Sequence, residues 1–494
     1  MEKDTLGSRR RTKIVATLGP ATEDPKVIEK LICAGADVLR FNFSHAAPQE
    51  QKVHIDQARA ISLKLGCHIG IMGDLQGPKI RIESFKEGSA ELKQGQMFVL
   101  DTELGSNDGD ETCVGVAYVN LIKDVFCGDT LLLDDGQIVL DVIGVKNSQI
   151  SCRVKEGGLL TDHKGLNKEG GGLSAPALTD KDKRDIIEAA KLDMDFLSVS
   201  FARNAADIKE ARKLLRDAGG QGHIVAKIER AEAVENIVEI IDASDVIMVA
   251  RGDLAVEVGY AAMTGLQKTL IRRTRARNKI SITATQMLES MITNASPTRA
   301  EVSDVANAVM DGTDAVMLSA ETAIGQFPAQ AVKTMSDLCI GAERHETFLR
   351  PKNSRLEDVF SYVDEAIALA AMYTANHLHV RAIIAFTESG STTQWMSRVR
   401  SDIPIYAFTR HESTRRRVSL YRGVYPASFD IVHAESGRIY QSAIEELEKA
   451  GVLRDGDLVL FTLGEMAGVA GGTNTLRILE VGAAKVDDAE HGRN

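Results

Sequence analysis

The sequence predicts an α/β chain: a (β/α)8 TIM barrel with an inserted β-barrel domain and a C-terminal doubly wound α/β domain. Three observations predict it. Eight short runs rich in Val, Ile and Phe alternate with helical stretches, the pattern of βα units around a parallel sheet. About 100 residues between the third and fourth runs alternate polar and apolar at strand period. A second α/β unit follows the eighth run after a polar connection.

The eight runs are KIVATLG (13–19), VLRFNFS (38–44), IGIMGDL (69–75), FLSVSFA (196–202), HIVAKIE (223–229), VIMVARGD (246–253), ISITATQ (280–286) and AVMLSAE (315–321). Eight strands close such a barrel, so residues 1–75 and 173–345 are assigned to it. In the insertion, 76–172, the segments RIESFKEGSAELKQGQMFVL, GDTLLLDDGQIVLDVIGV and SQISCRVKEGG are broken by Gly and Asp, as strands joined by turns are. A helix from Ala331 to Glu343 leads into RHETFLRPKNSRLED, which reads as a linker. The C-terminal unit, 346–482, offers a helix (Val363 to His377), the strand RAIIAFT, the helix STTQWMSRVR, the strand PIYAFT, a helix near Gly437 to Ala450, and the strands DLVLFTLG and LRILEVG. Residues 483–494 read as a polar tail.

Composition narrows the function classes. With 59 Lys plus Arg against 70 Asp plus Glu, the formal charge of -11 opposes non-specific binding to nucleic acid or anionic membranes. The six cysteines form no C-x-x-C pair, which argues against a thiolate zinc site and fits a reducing compartment. No stretch approaches the ~20 apolar residues of a membrane span, and MEKDTLGSRRRTK lacks an apolar signal core, so a cytoplasmic location is expected.

Barrel enzymes build their sites at the carboxyl ends of the strands. Those ends carry Arg40, Asn42 and Ser44; Asp74, with Arg81 just beyond; Lys227 and Glu229; Asp253; Thr285; and Ser319 with Glu321. Lys227 and Glu229 stand two apart and so point to one side of a strand. They form either an ordinary ion pair, or a phosphoryl-facing cation beside a metal carboxylate. Asp253 on the neighbouring strand favours the second reading: two carboxylates converging without enough cations to cancel them suit Mg²⁺ or Mn²⁺. Gly252, in the Arg-Gly-Asp-Leu turn, lets backbone approach a ligand, and a helix starting there would offer its N–H groups to a substrate carboxylate. Thr285 can donate a hydrogen bond or relay a proton, and Arg40 and Arg81 present planar forks to phosphate oxygens. Together these groups read as phosphoryl transfer, which needs positioning and charge neutralisation more than covalent chemistry.

LRFNFSH (39–45), DLQGPKIR (74–81), AKIER (226–230), MVARGDLAVE (248–257), TATQMLESM with PTRAEVSDVANAV (283–309) and MLSAET (317–322) resemble pyruvate kinase, and the similarity covers residues 11–482. The resemblance implies transfer of the phosphoryl group of phosphoenolpyruvate to ADP, giving pyruvate and ATP, in a homotetramer with a C-terminal effector domain. By the same resemblance Lys227 stabilises the transferring group and the enolate, Glu229 and Asp253 hold the metal, and Thr285 lies where the enolate carbon is protonated. Arg40 and Arg81 then contact phosphate. Asn42, Ser44 and Asp74 line the monovalent-cation and nucleotide region, His45 lies near the nucleotide, and Ser319 and Glu321 support the site. Potassium-dependent members carry Thr-Lys-Gly-Pro-Glu after the aspartate, whereas this chain has Leu75-Gln76-Gly77-Pro78-Lys79. The ammonium of Lys79 supplies a fixed positive charge in place of K⁺, so activity independent of K⁺ is expected.

In the C-terminal unit, RAIIAFT ends in Thr-Glu-Ser-Gly-Ser-Thr-Thr and runs into a helix, which on spacing alone is either a phosphate cradle or an ordinary N-cap. The resemblance implies an allosteric phosphorylated metabolite contacted by Thr387, Ser389, Ser391 and Thr392. Fructose 1,6-bisphosphate-responsive relatives carry Trp and Arg in a loop that here reads Gly464-Glu465-Met466-Ala467-Gly468. AMP or a sugar monophosphate is therefore expected rather than the bisphosphate. Two rival readings are a metal-dependent enolate-forming lyase and a catalytically dead sugar-phosphate sensor. The inserted lid speaks against the first, and the presence of Lys227, Glu229, Asp253 and Thr285 against the second.

Overall fold

The computed structural model describes residues 9–44, 48–345, 360–433, 438–464 and 471–483. The predicted apolar runs form β1 (Lys13–Thr17), β2 (Val38–Asn42) and β3 (Gly70–Asp74), all parallel. Every residue of β1 and β3 is buried, as expected of strands covered on both faces.

The chain then enters the insertion. Its strands are β4 (Ser89–Leu92), β5 (Met97–Asp101), β6 (Cys113–Gly115), β7 (Thr130–Leu133), β8 (Ile138–Lys146), β9 (Gln149–Glu156), β10 (Gly158–Thr161) and β11 (Leu166–Lys168). Six of them make one sheet in the order β11-β7-β8-β9-β5-β6, and β4 pairs with β10. Single bridges from Ile82 to Val116 and from Arg81 to Gly165 join the two edges of the six-stranded sheet through residues 81–82. Edges removed in this way cannot template aggregation. The lid encloses its own core, including Phe98, Leu100, Leu131, Leu140 and Ile150.

Returning to the barrel, β12 (Phe196–Val199), β13 (His223–Ile228), β14 (Val246–Ala250), β15 (Ile280–Ala284) and β16 (Ala315–Leu318) complete a closed cylinder in the order β1-β16-β15-β14-β13-β12-β3-β2. All eight predicted strands are present, but most end two to three residues earlier than the apolar runs suggest. Glu229 follows β13, Thr285 follows β15, Asp253 lies in the helix Arg251–Val258, and Glu321 in the helix Ala320–Ala323. The helices begin and end where local chemistry dictates. In Arg299–Asp311, Thr298 and Glu301 cap each other's backbone, and Gly312 closes the helix at φ 92°.

The C-terminal domain is a five-stranded sheet of β17 (Ala382–Phe386), β18 (Ile405–Thr409), β19 (Val424–Ser428), β20 (Leu458–Gly464) and β21 (Thr473–Glu480), in the order β19-β18-β17-β20-β21. Four strands are parallel and β21 is an antiparallel edge. The sequence reading omits β19 and the helix Glu412–Val418. Pro426 sits in β19, and an edge strand is where proline is tolerated.

This domain docks on the amino-terminal end of the barrel strands. Arg398 donates 2.9 Å to Asp314 before β16, Lys13 at the start of β1 donates 2.6 Å to the Val424 carbonyl, and Arg416 donates 2.8 Å to Asp195 before β12. The opposite, carboxyl-terminal end of the cylinder carries the lid.

Candidate active site

Strand alternation brings Lys227 and Glu229 together. The ammonium lies 2.7 Å from Glu229 Oε1 and 3.7 Å from Asp74 Oδ1, and donates 2.9 Å to Ser200 Oγ. The two carboxylates are almost completely buried. Burial works against the charge on Lys227, but Asp74 and Glu229 outweigh it and hold the ammonium above the ordinary lysine value, fully protonated at neutral pH. Asp74 shows the reverse. Burial would raise it, and Lys227 and Arg40 together draw it below the usual carboxylate range.

Arg40, on β2, donates 2.7 Å from Nε to Asp74 Oδ2 and 3.0 Å from Nη1 to Thr17 Oγ1. Asn42 is the register partner of Asp74 on the adjoining strand, and its Oδ1 accepts the Ser44 amide at 2.9 Å. Thus Arg40, Asn42, Ser44 and Asp74 form one group at the ends of β2 and β3. His45 lies outside the described residues.

Glu229 is pushed above the ordinary value by burial and by the nearby charge of Asp253, against the pull of Lys227. Its second oxygen accepts the Phe201 amide at 2.8 Å. Asp253 Oδ1 accepts from Lys79 Nζ at 3.1 Å. Two points of the sequence reading change here. Each carboxylate has its own ammonium, so they are not short of cations, and Lys79 reaches Asp253 rather than the Asn42–Ser44–Asp74 group. The reason is topological: Lys79 arrives on the crossing into the lid, which passes over the Arg251–Val258 helix.

That helix and the end of β15 are bound together. Thr285 Oγ1 accepts the Gly252 amide at 2.8 Å and donates 2.7 Å to the Ala284 carbonyl, so the Gly252 N–H expected to face a ligand is held by Thr285. Arg251 adds a hydrogen bond of 2.7 Å to the Thr285 carbonyl. Thr285 and Gln286 are both left-handed, at φ 68° and 53°, a costly conformation for two successive non-glycine residues that persists only where surroundings fix it. Glu321 accepts the amides of Ser319 at 2.7 Å and Leu288 at 3.1 Å, tying the end of β16 to the loop after Thr285. Arg81 stands apart, donating 2.9 Å to the His163 carbonyl within the lid.

Sequence reasoning overlooks Ser200 and Thr17. Ser200 receives the Lys227 ammonium and donates 2.8 Å to the Leu75 carbonyl, and Thr17 receives Arg40. Their position at or just past the ends of β12 and β1 was the available signal.

The donor set fits a hard divalent cation. Two carboxylates with oxygen ligands only, one of them held above its ordinary value by burial and by the other's charge, are what Mg²⁺ or Mn²⁺ stabilises. Among the described residues no group of three or more His, Cys, Asp or Glu is arranged for a metal.

In the C-terminal domain, Thr387 Oγ1 accepts the Gly390 amide at 2.9 Å, and Ser389 and Ser391 hydroxyls lie 3.2 Å apart. Thr392 is turned away, buried and hydrogen-bonded to Thr473 at 2.8 Å. The loop residues 465–468 lie outside the described residues. Among the described residues no helix is long and apolar enough to cross a membrane.

Comparison with known proteins agrees with this geometry. The family model "Pyruvate kinase, barrel domain" matches residues 9–332, and "Pyruvate kinase, alpha/beta domain" matches 365–479. The chain is 54% identical over 476 residues to pyruvate kinase II of Salmonella typhimurium, covering 96% of this chain and 99% of that one. It is 51% identical over 480 residues to a pyruvate kinase of Buchnera aphidicola, with 96% and 99% covered, and 49% identical over 479 residues to that of Haemophilus influenzae, again with 96% and 99% covered. The chain belongs to the pyruvate kinase family.

Proposed function

We propose that the phosphoryl transfer of this chain runs through the Lys227 cluster, with Lys227, Thr285, Arg40 and Arg81 as the working side chains. The protein is a phosphotransferase of the pyruvate kinase type, moving the phosphoryl group of phosphoenolpyruvate to ADP. The P–O bond of phosphoenolpyruvate breaks, a bond to the terminal ADP oxygen forms, and the enolate left behind takes a proton at carbon to become pyruvate. The observation that carries the residue assignment is Lys227: a nearly buried ammonium held charged by two carboxylates where the strands end. Such a preorganised cation stabilises charge spread over a transferring phosphoryl group without reorganising. Arg40, already oriented by Asp74 and Thr17, presents its fork to phosphate oxygens, and Arg81 would join when the lid descends.

Glu229 and Asp253 would hold Mg²⁺ or Mn²⁺, with Lys79 yielding one oxygen of Asp253. Bound there, the cation neutralises phosphoryl and enolate oxygens. Gly252, with no side chain at the start of the Arg251–Val258 helix, leaves room for the substrate carboxylate, and Thr285, fixed by Gly252 and Ala284, lies where the enolate carbon is protonated. Asn42, Ser44 and His45 contact nucleotide. Ser319 and Glu321 brace the loop carrying Thr285.

Further readings rest on the same residues. Activity is independent of K⁺, with the Lys79 ammonium, 3.1 Å from Asp253, supplying a positive charge beside the metal carboxylate rather than within the Asn42–Ser44–Asp74 group. Thr387, Ser389 and Ser391 cradle the phosphate of AMP or a sugar monophosphate, with Thr392 supporting the turn from inside. The domains divide at 1–75 with 173–345, 76–172 and 346–482. The protein works as a homotetramer in the cytoplasm. The test is pyruvate formation from phosphoenolpyruvate and ADP with Mg²⁺, titrated with AMP, ribose 5-phosphate, glucose 6-phosphate and fructose 1,6-bisphosphate. A monophosphate should lower the KM for phosphoenolpyruvate most, and a larger effect of the bisphosphate would reverse the effector reading.

A further inference from the structure

The lid is joined to the barrel by two crossings: the outgoing one reaches Asp253 through Lys79, and the return one is held by Arg230, next in sequence to Glu229. The outgoing crossing is fixed by the Ser200 hydroxyl on the Leu75 carbonyl at 2.8 Å and by Asp182, which accepts the Gly77 amide at 3.1 Å. Two residues on, Lys79 donates to Asp253. The return crossing, 172–175, is held by a residue outside the reaction described so far. Arg230 is 4% exposed, donates 3.1 Å from Nη1 to the Leu173 carbonyl, and lies 3.5 Å from that of Ala175. Leu173 and Ala175 belong to the lid core, so this grip is on the lid itself.

The guanidinium of Arg230 also lies over the Phe201 ring, 5.5 Å from its centroid. Phe201 is left-handed at φ 54°, and in that conformation its amide donates 2.8 Å to Glu229 Oε2. An aromatic residue leaves this region unless held. The clamp is the cation on the ring, within the distance at which such pairs attract. Arg230 therefore touches the lid on one side and, through Phe201, orients Glu229 on the other. A small cleft lined by Pro78, Lys79, Leu173, Phe201 and Arg230 lies between the two crossings.

We propose that Arg230 is a positioning residue that couples the lid's return crossing to the metal carboxylate Glu229, so that lid position and cation affinity are linked. The proposal rests on the reading of Glu229 and Asp253 as metal carboxylates. Groups that orient a metal ligand from behind typically change affinity about tenfold to a hundredfold when removed.

The experiment measures Mn²⁺ affinity of the resting enzyme, without substrate or nucleotide, by the paramagnetic resonance of free Mn²⁺, with amide hydrogen exchange of residues 171–176 and thermal midpoints recorded alongside. Arg230→Met should weaken Mn²⁺ binding about tenfold or more and speed exchange at 171–176. Its thermal midpoint should move by no more than a few degrees. Should that variant fail to fold, Phe201→Leu, which removes the ring and keeps apolar volume, is read by the same Mn²⁺ criterion. Wild-type Mn²⁺ affinity in a folded Arg230→Met or Phe201→Leu overturns the proposal, provided that Glu229→Gln loses Mn²⁺. Wild-type Mn²⁺ affinity in Glu229→Gln instead overturns the metal reading, and this proposal with it.

Discussion

Removing Arg398 tests how the C-terminal domain is held to the barrel. Its side chain is 0% exposed and that of its partner Asp314 is 1% exposed. Arg398 Nη1 donates 2.9 Å to Asp314 Oδ2 and 2.6 Å to the Lys279 carbonyl, while Nη2 reaches the other carboxylate oxygen. Arg398→Met leaves Asp314 buried with a single strong backbone donor, Ser281 at 2.9 Å. Breaking a buried pair from one side costs about 3 to 5 kcal/mol, and the surviving Ser281 bond places the expectation near the lower bound. At roughly 2 to 4 °C per kcal/mol for a cooperative unit of about 150 to 250 residues, the transition should fall by about 6 to 12 °C. Calorimetry resolves it, because a multidomain chain does not have one unfolding free energy. Replacing both partners removes the uncompensated charge, so Arg398→Met with Asp314→Asn should recover much of the loss. The helix Ser391–Ser397, which starts at the serine and threonine loop, ends at Arg398, so the single variant should also weaken effector response. A midpoint within about 1 °C of wild type, or a double variant no better than the single one, refutes the reasoning.

Lys79→Glu replaces a cation 3.1 Å from Asp253 by an anion, in a pair 29% and 23% exposed. Screening leaves an effect of about 1 to 4 kcal/mol. Turnover of the variant should thus fall at least about fivefold in tetramethylammonium chloride and recover in KCl of equal ionic strength. The wild type should be indifferent to that exchange, and a variant equally indifferent would contradict the role of Lys79. Glu257 accepts the Ala231 amide at 2.9 Å and is linked to Asn167 of the lid at 3.4 Å, with Arg230 and Glu232 facing it. Burial raises it to about 7 from 4.5. Between those values the folded protein keeps a proton that the unfolded chain releases, so this contribution, on the order of 3 kcal/mol, is present at low pH and lost as pH rises to 7. Hydrogen exchange at residues 166–172 should accordingly be slower at pH 5.5 than at pH 8, beyond the intrinsic rate change, and Glu257→Gln should erase the difference.

The barrel strands were legible because a strand covered on both faces reads as a largely apolar run, and β1 and β3, buried throughout, have apolar centres flanked by the polar ends Lys13, Thr17 and Asp74. Lys227 and Glu229 were legible because alternation along a strand fixes which side chains meet, and the 2.7 Å contact follows. What escaped depends on distant chain or on unusual backbone. Lys79 meets Asp253 across 174 residues, a pairing that local pattern does not encode. Ser200 looks like any strand-end serine until Lys227 and the Leu75 carbonyl lie against it. Nothing in the sequence marks Phe201 as left-handed, since glycine and asparagine are the usual residues there. Thr392 occupies a helix-start position that reads as ligand-facing, yet the sheet's Thr473 turns it inward.

The central claim is that Lys227 is the cation on which phosphoryl transfer depends. The direct measurement is a lactate-dehydrogenase-coupled assay with phosphoenolpyruvate, ADP and Mg²⁺ on the wild type and Lys227→Met, with Mn²⁺ affinity of both determined alongside. Removing one preorganised donor from such a site costs about a hundredfold to a thousandfold. Lys227 carries a full charge between two carboxylates, so kcat should fall by about a thousandfold or more while Mn²⁺ still binds. A Lys227→Met enzyme that keeps more than about a tenth of wild-type kcat would contradict the account.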